Sequence, residues 1–586
     1  MTLYIRKDCT PEQTIDQIQM ILKSHRIEVI EQNFAIGKRY HSIRVSLKAF
    51  PRLGTNGKGV TQELARASAY AELMERLQGR LLIKPYFLGK ENNYDNFVHD
   101  RKLSEQTFFR LYKKQLDFLS TGISKEKKDA FEQLLRQDPT YRYSSHFKEL
   151  GKGNFTTLPI SIINMLTHSN GLCAGNTEAE ATAQGICEIF ERYCHKEIIK
   201  GGLNLPILRS EKIDTTSLEE LNSFGFSYAI KDCSLGGKFP VVGLVLYSEN
   251  RDKYLFGIGA DINIQIALDR CITEIFQGMN CLEDIWQKMK PTNEYSLPGE
   301  INIHHNWMNA YTLNNGRYNE GIFSERRESD LSDLPFRPDI ICNEEALHAL
   351  VSIVEKQGNK VYSKDLSYLG FPTYKIYIPG LSEIENVDEI NINLVNGGGK
   401  AKSAYFNFTN ASRDDISLLA NFSYEMTKKN KDTYFEGPDI VFKTQGCEHS
   451  SLFLLSYEQI LALTYLKMGE YEKFLKVIQR NNDLAISLML PNFQKYEEGY
   501  IDKISKYIDE YDYWKRLDFP ICPNCKKCRI SVTCPYPEWK KIDRLIRKSQ
   551  KVYPYVVHDS SNKMFIRKLR GDITECRIIQ LENDAQ

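Results

Sequence analysis

Three stretches of this chain carry acids at helical spacing. Residues 64–77 read LARASAYAELMERL, residues 180–193 read EATAQGICEIFERY and residues 266–277 read IALDRCITEIFQ. Positions three and four apart share one face of a helix. Ser68, Glu72 and Glu75 therefore form one row, Glu180, Gln184, Glu188 and Glu191 a second, and Arg270, Glu274 and Gln277 a third. Arg76 and Arg192 close the first two. Carboxylates gathered in one pocket raise one another's pKa or demand a counter-cation. Hard oxygens without His or Cys favour Mg2+ over zinc, and Mg2+ completes its shell with waters and substrate phosphates. Arg192 and Arg270 suit phosphate oxygens through forked hydrogen bonds. Converging rows thus predict a nucleoside triphosphate held through Mg2+. One Glu-x-x-Glu-Arg alone is ordinarily a solvated face with local ion pairs. Three in one register, each after a Gly-rich turn, argue for a site. The loop GTNGKG lacks the spacing and Lys-Ser/Thr ending of a P-loop.

The elements that must position these rows follow from the pattern. A helix is expected over about residues 11–24, with strands at RIEVI and YHSIRVSLKAF. The strand TTLPISIINML precedes SNGLCAGN and the second acidic helix, and FSYAIKDC, FPVVGLVLYS and YLFGIGAD read as strands before the third. Strand, Gly-rich turn and acidic helix recur, which predicts an α/β domain with internal duplication. Residues 90–150 are charged and irregular and read as an insertion or peripheral helices. A further α/β stretch includes KVYSKDL and YKIYIPGL, and NLVNGGGKAKS reads as a flexible boundary. Beyond it, SLFLLSYEQILALTYLKMGEYEKFLKVIQR predicts two helices broken at Gly-Glu-Tyr, either a tetratricopeptide-like pair or an ordinary helical hairpin.

The composition bounds the rest. At 586 residues the chain should form more than one domain. A net charge of +1 gives no overall pull toward nucleic acid or a membrane. No run approaches the apolar length of a spanning helix, and the N-terminus lacks a secretory apolar core. Fourteen cysteines, mostly inside apolar helical patterns, suit a reducing cytoplasm. Cys187, Cys194 and Cys271 read as packing residues, and Cys173 as packing rather than a nucleophile. The His residues show no metal spacing, and His304-His305 reads as surface.

Residues 522–535 read CPNCKKCRISVTCP. Cys522, Cys525, Cys528 and Cys534 have the crowding of a metal site, and either zinc or an iron–sulfur cluster fits the spacing.

The acidic helices resemble the YcaO family. Its signatures stand here as Ser68, Glu72, Glu75 and Arg76, then Glu180, Glu188, Glu191 and Arg192, then Arg270 and Glu274; TNGKG, SNGLCAGNT and DCSLGGKFPV are similar too. The likeness is closest to the family's stand-alone founding member and covers about residues 1–400. It implies an ATP-binding fold that phosphorylates a peptide-backbone amide oxygen, after which a nucleophile attacks the carbon and phosphate leaves. It assigns Glu72, Glu75, Glu188 and Glu191 to Mg2+ with Glu180 and Asn176 assisting. Lys7, Thr14, Ser68, Arg192 and Arg270 would contact nucleotide, and Glu274 would orient Arg270 or a metal-bound water. Thr14 stands where the founding member carries Ser, which keeps the hydroxyl.

The products implied by the resemblance are an azoline ring or a thioamide. The founding member instead assists methylthiolation of a ribosomal protein. Azoline-forming members end in a Pro-rich tail; this chain ends RIIQLENDAQ, which favours the accessory type. The expected layout is residues 1–400 for the ATP-binding domain, 401–515 for a helical region, and 516–586 for a Cys-rich metal module and tail. Expected partners are a peptide or protein substrate and a methylthiotransferase or other modifying enzyme; the resemblance allows a homodimer. The rival reading is a non-catalytic ATP-binding scaffold. A nucleic-acid role through a zinc knuckle lacks the basic, aromatic stripe it would need.

Overall fold

The computed structural model describes residues 6–82, 100–137, 141–293 and 303–389 except positions 212, 315 and 326, and parts of 401–429, 457–478, 502–506, 536–558 and 564–577. The cysteines at 522–534 and the expected boundary at 393–400 lie outside the described residues.

The chain opens with α1 (Pro11–Ser24), started by a capping box between Thr10 and Gln13 with Pro11 in the first turn. A three-stranded antiparallel sheet follows, β1 (Val29–Ile36), β2 (Tyr40–Leu47) and β3 (Phe50–Gly59), and leads into α2 (Gln62–Gln78). GTNGKG is thus the end of a strand and not a loop. Thr55, Gly57 and Gly59 alternate on the face that α2 covers, and small residues there let the helix lie flush. A Cβ on Gly57 would sit 2.1 Å from the Ala65 carbonyl and the Ala69 nitrogen.

Next come β4 (Arg101–Lys102), α3 (Glu105–Leu119), α4 (Lys125–Gln137), β5 (Tyr143–Glu149), β6 (Phe155–Leu158), α5 (Ile160–Thr167), β7 (Leu172–Ala174) and α6 (Glu178–Gly201). The stretch read as an insertion or peripheral helices therefore contains two amphipathic helices. Phe108, Tyr112 and Leu116 of α3 and Phe131 and Leu134 of α4 bury their apolar faces on Ile162 and Leu166 of α5. TTLPISIINML is split by Pro159 into β6 and α5 rather than forming one strand. An apolar run of that length fits a buried helix as well as a strand, and the proline stops the ladder.

Then follow β8 (Ile207–Leu208), α7 (Thr216–Ser223), β9 (Phe226–Asp232), β10 (Val241–Ser248), β11 (Lys253–Ala260), α8 (Ile264–Phe276), α9 (Leu282–Lys288), β12 (Lys290–Pro291), α10 (Ile303–Leu313), β13 (Glu328–Ser329), α11 (Asn343–Lys356), β14 (Tyr362–Asp365) and β15 (Thr373–Tyr377). One six-stranded sheet has the order β12-β11-β10-β9-β8-β13; the other runs β4-β5-β14-β15-β7, with β6 beside β5. The central helix α6 packs between them. Ile186, Ile189, Phe190 and Ile198 meet Val241, Val245 and Phe256 on one side and Ile376 and Ile378 on the other. The opposite face of β10, with Val242, Leu244 and Leu246, is covered by α8.

The C-terminal part contains α12 (Arg413–Lys429), then α13 (Tyr457–Met468) and α14 (Tyr471–Ile478), which flank Gly469 at φ 75°. Helix α15 (Tyr536–Val552) returns to the first unit, placing Ile542 and Ile546 in the core formed by α1 and α2. Strands β16 (Tyr555–His558), β17 (Met564–Arg570) and β18 (Ile573–Arg577) form a small antiparallel sheet. Among the described residues no helix is long and apolar enough to cross a membrane.

The three acidic helices are mounted alike. Gly57, Thr61, Ala65 and Ala69 step by four, as do Cys173, Thr177, Ala181 and Gly185, and Gly259, Asn263, Ala267 and Cys271. The first member of each set lies one or two residues before the end of a strand, the second is the N-cap and the last two are on the helix. The side chains of Thr61, Thr177 and Asn263 each accept a hydrogen bond from the first turn. A Cβ on Gly259 would lie 2.3 Å from the Ala267 carbonyl, and one on Gly185 2.7 Å from Cys173 Sγ. This close approach fixes the rotation of each helix. Ser68, Gln184 and Arg270 then occupy one equivalent position and Glu72, Glu188 and Glu274 the next; Glu75 and Glu191 share a third, whereas α8 ends at Phe276 and leaves Gln277, expected in the third row, at its C-cap in extended backbone.

Candidate nucleotide and metal site

The three rows converge. Lys58 of β3 forms an ion pair with Glu274 of α8, and its Nζ lies 3.3 Å from Gln277 Oε1. Gln277 Nε2 donates to the Asn56 carbonyl (2.5 Å), and the Gly278 amide to Ser42 Oγ (3.1 Å). The third row is thereby tied to β2 and β3, the strands that lead into the first acidic helix. Arg270 of α8 donates to Glu191 of α6 (3.4 Å), which joins the third row to the second. Glu75 and Glu188 act on each other electrostatically, which joins the second to the first.

The acids differ in setting. Glu75 and Glu191 are buried, while Glu72 and Glu188 are half-buried. Burial pushes the Glu75 carboxyl well up against the pull of Arg76, with Glu188 and Glu72 adding to the rise. Burial likewise raises Glu191 despite Arg270 and Arg192. Burial would raise Glu274 too, but Lys58, Arg192 and Arg270 outweigh it and hold the carboxyl at about 2. Arg76 spans Glu72 (3.3 Å) and Glu75 (3.5 Å).

Glu180 stands apart, at the start of α6. Its carboxylate accepts from Lys7 Nζ (3.0 Å), the Asp8 amide (3.2 Å) and Asn176 Nδ2 (2.9 Å). Thr14 Oγ1 donates to Asn176 Oδ1 at 2.8 Å. The N-terminal residues Lys7 and Thr14 are thus brought to the second acidic helix, and Ser68 lies one turn before Glu72 on the first row.

Some members of the cluster were not singled out from sequence. Lys58 lies within the quoted TNGKG, but nothing there marked it as the partner of Glu274. Lys375 of β15 is buried under Glu75 and Glu188 and donates to Thr167 Oγ1 (2.9 Å), the His168 carbonyl (3.0 Å) and the Asn170 carbonyl (2.7 Å). Burial lowers its pKa to about 7 even with those acids nearby. Tyr311 of α10 carries the Arg192 guanidinium over its ring at 5.5 Å. A lone lysine in YKIY and a tyrosine in a mid-chain helix give no local signal of their neighbours. Cys173 is buried against Gly185, and burial pushes its thiol well up, which suits packing and not nucleophilic attack. His304 is half-buried and not on the surface: its Nε2 meets Glu385 at 3.1 Å, and His168 Nε2 meets the same carboxylate at 2.8 Å.

The donor set fits an anion neutralised by hard cations. Among the described residues no group of three or more His, Cys, Asp or Glu side chains is placed to hold a metal ion by itself. Mg2+ takes waters and substrate phosphate oxygens as well as carboxylates, so acids such as Glu72 and Glu188 would supply only part of its shell. On the cationic side, the Nε atoms of Arg192 and Arg270 are buried without an acceptor among the described residues.

Residues 56–382, more than half of the chain, match the family model described as YcaO cyclodehydratase, ATP- and Mg2+-binding. The chain belongs to the YcaO family. It is 25% identical over 514 residues to the ribosomal protein S12 methylthiotransferase accessory factor YcaO of Escherichia coli K12, covering 84% of each chain. It is 27% identical over 417 residues to an uncharacterized protein of Haemophilus influenzae, covering 66% of this chain and 68% of that one. Among solved structures, a heterocyclase in complex with substrate and cofactor matches at TM-score 0.46 and 17% identity, over 67% of this chain and 56% of that one. YcaO from Methanopyrus kandleri, bound with AMPPCP and Mg2+, matches at TM-score 0.41 and 18% identity, over 66% of this chain and 95% of that one. The family's three signatures fall on the three helices whose rows meet.

Proposed function

We propose that this YcaO chain binds ATP with Mg2+ in the cluster and uses it to phosphorylate the oxygen of a peptide or protein backbone amide. The observation that carries this reading is the meeting of the three acidic rows beside arginines whose buried Nε–H groups lack acceptors among the described residues. ATP and Mg2+ supply the transferable phosphoryl group and the neutralisation of its charge. Glu72, Glu75, Glu188 and Glu191 hold the ions, with Glu180 and Asn176 assisting. Lys7, Thr14, Ser68, Arg192 and Arg270 contact the nucleotide. Arg192 and Arg270 donate to phosphate oxygens from a half-buried position, where such bonds are stronger than in open water. Glu274 and Lys58 keep Arg270 oriented. Lys375 balances the acids from beneath. An amide oxygen is a poor leaving group and its phosphate ester a good one, so the role of these residues is positioning and charge stabilisation.

The ATP-binding part extends to about residue 400, with a helical region over 401–515 and a Cys-rich end over 516–586. The E. coli relative, which is named as an accessory factor and is aligned over most of its length, favours a second reading. In it the chain serves a modifying enzyme such as a methylthiotransferase and does not itself complete a ring.

Calorimetric titration tests the common core of both readings. ATP should bind only with Mg2+, and Glu72→Ala or Glu191→Ala should abolish binding. Wild-type affinity in both variants sinks the proposal. ATP turnover that rises with one peptide favours the enzyme; tight binding without turnover, with a modifying enzyme present, favours the accessory role.

A further inference from the structure

Arg6 carries no role in the site as assigned above, yet its setting is that of a ligand-binding residue. Its side chain is 5% exposed. Its backbone is held at φ 60°, in the left-handed region that residues other than glycine enter at a cost. Such a conformation persists only where the surroundings over-determine it, and here they do. Arg6 Nη2 donates to Asp261 Oδ1. Asn343 Nδ2 donates to the Arg6 carbonyl (2.8 Å) and to Asp8 Oδ1 (2.9 Å). Thr177 Oγ1 donates to Asp8 Oδ2, while Lys7 and the Asp8 amide are held by Glu180. Asp261 also accepts from the Asn263 amide (2.8 Å), at the N-cap of the third acidic helix. The strap is therefore fastened to both α6 and α8.

A guanidinium has five N–H donors, and the Asp261 bond uses one. Arg6 Nε is buried without an acceptor among the described residues, as are Nε of Arg192 and Arg270. Leaving a buried charged donor unmade is costly, and a guanidinium held in this way calls for an anion. Asp261 accepts from the amide of Asn263, the N-cap of α8, so it ties Arg6 to the helix that carries Arg270, whose guanidinium meets Glu191 of α6 at 3.4 Å.

We propose that Arg6 is a third phosphate-binding arginine, which acts with Arg192 and Arg270 on the polyphosphate of a nucleoside triphosphate and is positioned by Asp261. This rests on the nucleotide reading above. The test uses the full chain, with ATP·Mg2+ and AMP as probes and affinity as the readout. Arg6→Met should weaken ATP about tenfold, the worth of one charge-assisted bond, and leave AMP unchanged. Arg6→Lys should recover part of the loss. Asp261→Asn should weaken ATP and spare AMP. Unchanged ATP affinity in Arg6→Met overturns the proposal. So does equal weakening of ATP and AMP, which would mean that Arg6 only supports the fold. If Arg6→Met does not fold, Arg6→Lys decides: it must lose ATP affinity several-fold with AMP unchanged. Wild-type protein that binds neither nucleotide overturns the nucleotide reading itself, and this inference with it.

Discussion

Lys58 reaches from the strand before the first acidic helix to pair with Glu274 on the third. Together with the Gln277 bond to Asn56, the contact ties the third helix to the strand that leads into the first. Removing the lysine should therefore act on the site rather than on the core. In Lys58→Met, the Glu274 carboxylate is left to Arg192 and Arg270 and draws both from the phosphates. ATP·Mg2+ affinity is expected to fall roughly tenfold. Titration calorimetry reads this directly, and affinity equal to or tighter than wild type would refute the role given to Lys58.

The flush mounting of the helices makes a different prediction. A methyl group on Gly57 or on Gly259 meets backbone atoms that cannot step aside. Gly57→Ala and Gly259→Ala should each destabilise the chain by about 2–3 kcal/mol or more. Chemical denaturation with matched slopes checks it; a cost under about 0.5 kcal/mol at either position would contradict the geometry.

A third expectation concerns acid. Burial would raise the Glu385 carboxyl, but hydrogen bonds from His168 and His304 outweigh it and hold the group at about 2. A carboxyl lowered in the folded state stabilises it above the unfolded pKa. That contribution is lost as pH falls from about 4.5 toward 2, because the unfolded chain takes up the proton first. The full effect is on the order of 3 kcal/mol. Glu385→Gln should be less stable than wild type at neutral pH, and the gap should close below about pH 3. A gap independent of pH would show that the histidines do not hold the carboxylate.

Much of this was legible in the letters, for a physical reason. The acidic rows repeat at helical spacing after a recurring N-cap, so local rules alone predicted three helices and their polar faces. The strands β9, β10 and β11 were legible as short apolar runs, although β10 and β11 are buried along nearly their whole length and do not alternate as half-buried strands do. What escaped the sequence was mostly non-local. Lys375, Tyr311 and Lys58 gain their meaning from partners in distant segments. The helices α3 and α4 were obscured by many charges on their solvent faces. ISIINML was read as strand and is helix, because a short apolar run fits a buried helix equally well and Pro159 ends β6 before it.

The central claim is that one ligand is held by all three rows at once. Its most direct measurement is ATP·Mg2+ affinity in three variants, one per helix: Glu72→Gln on α2, Glu188→Gln on α6 and Arg270→Met on α8. The account predicts that each alone weakens binding at least tenfold while the folded chain keeps its melting behaviour without nucleotide. Wild-type affinity in any one of the three would remove that helix from the site and contradict the account.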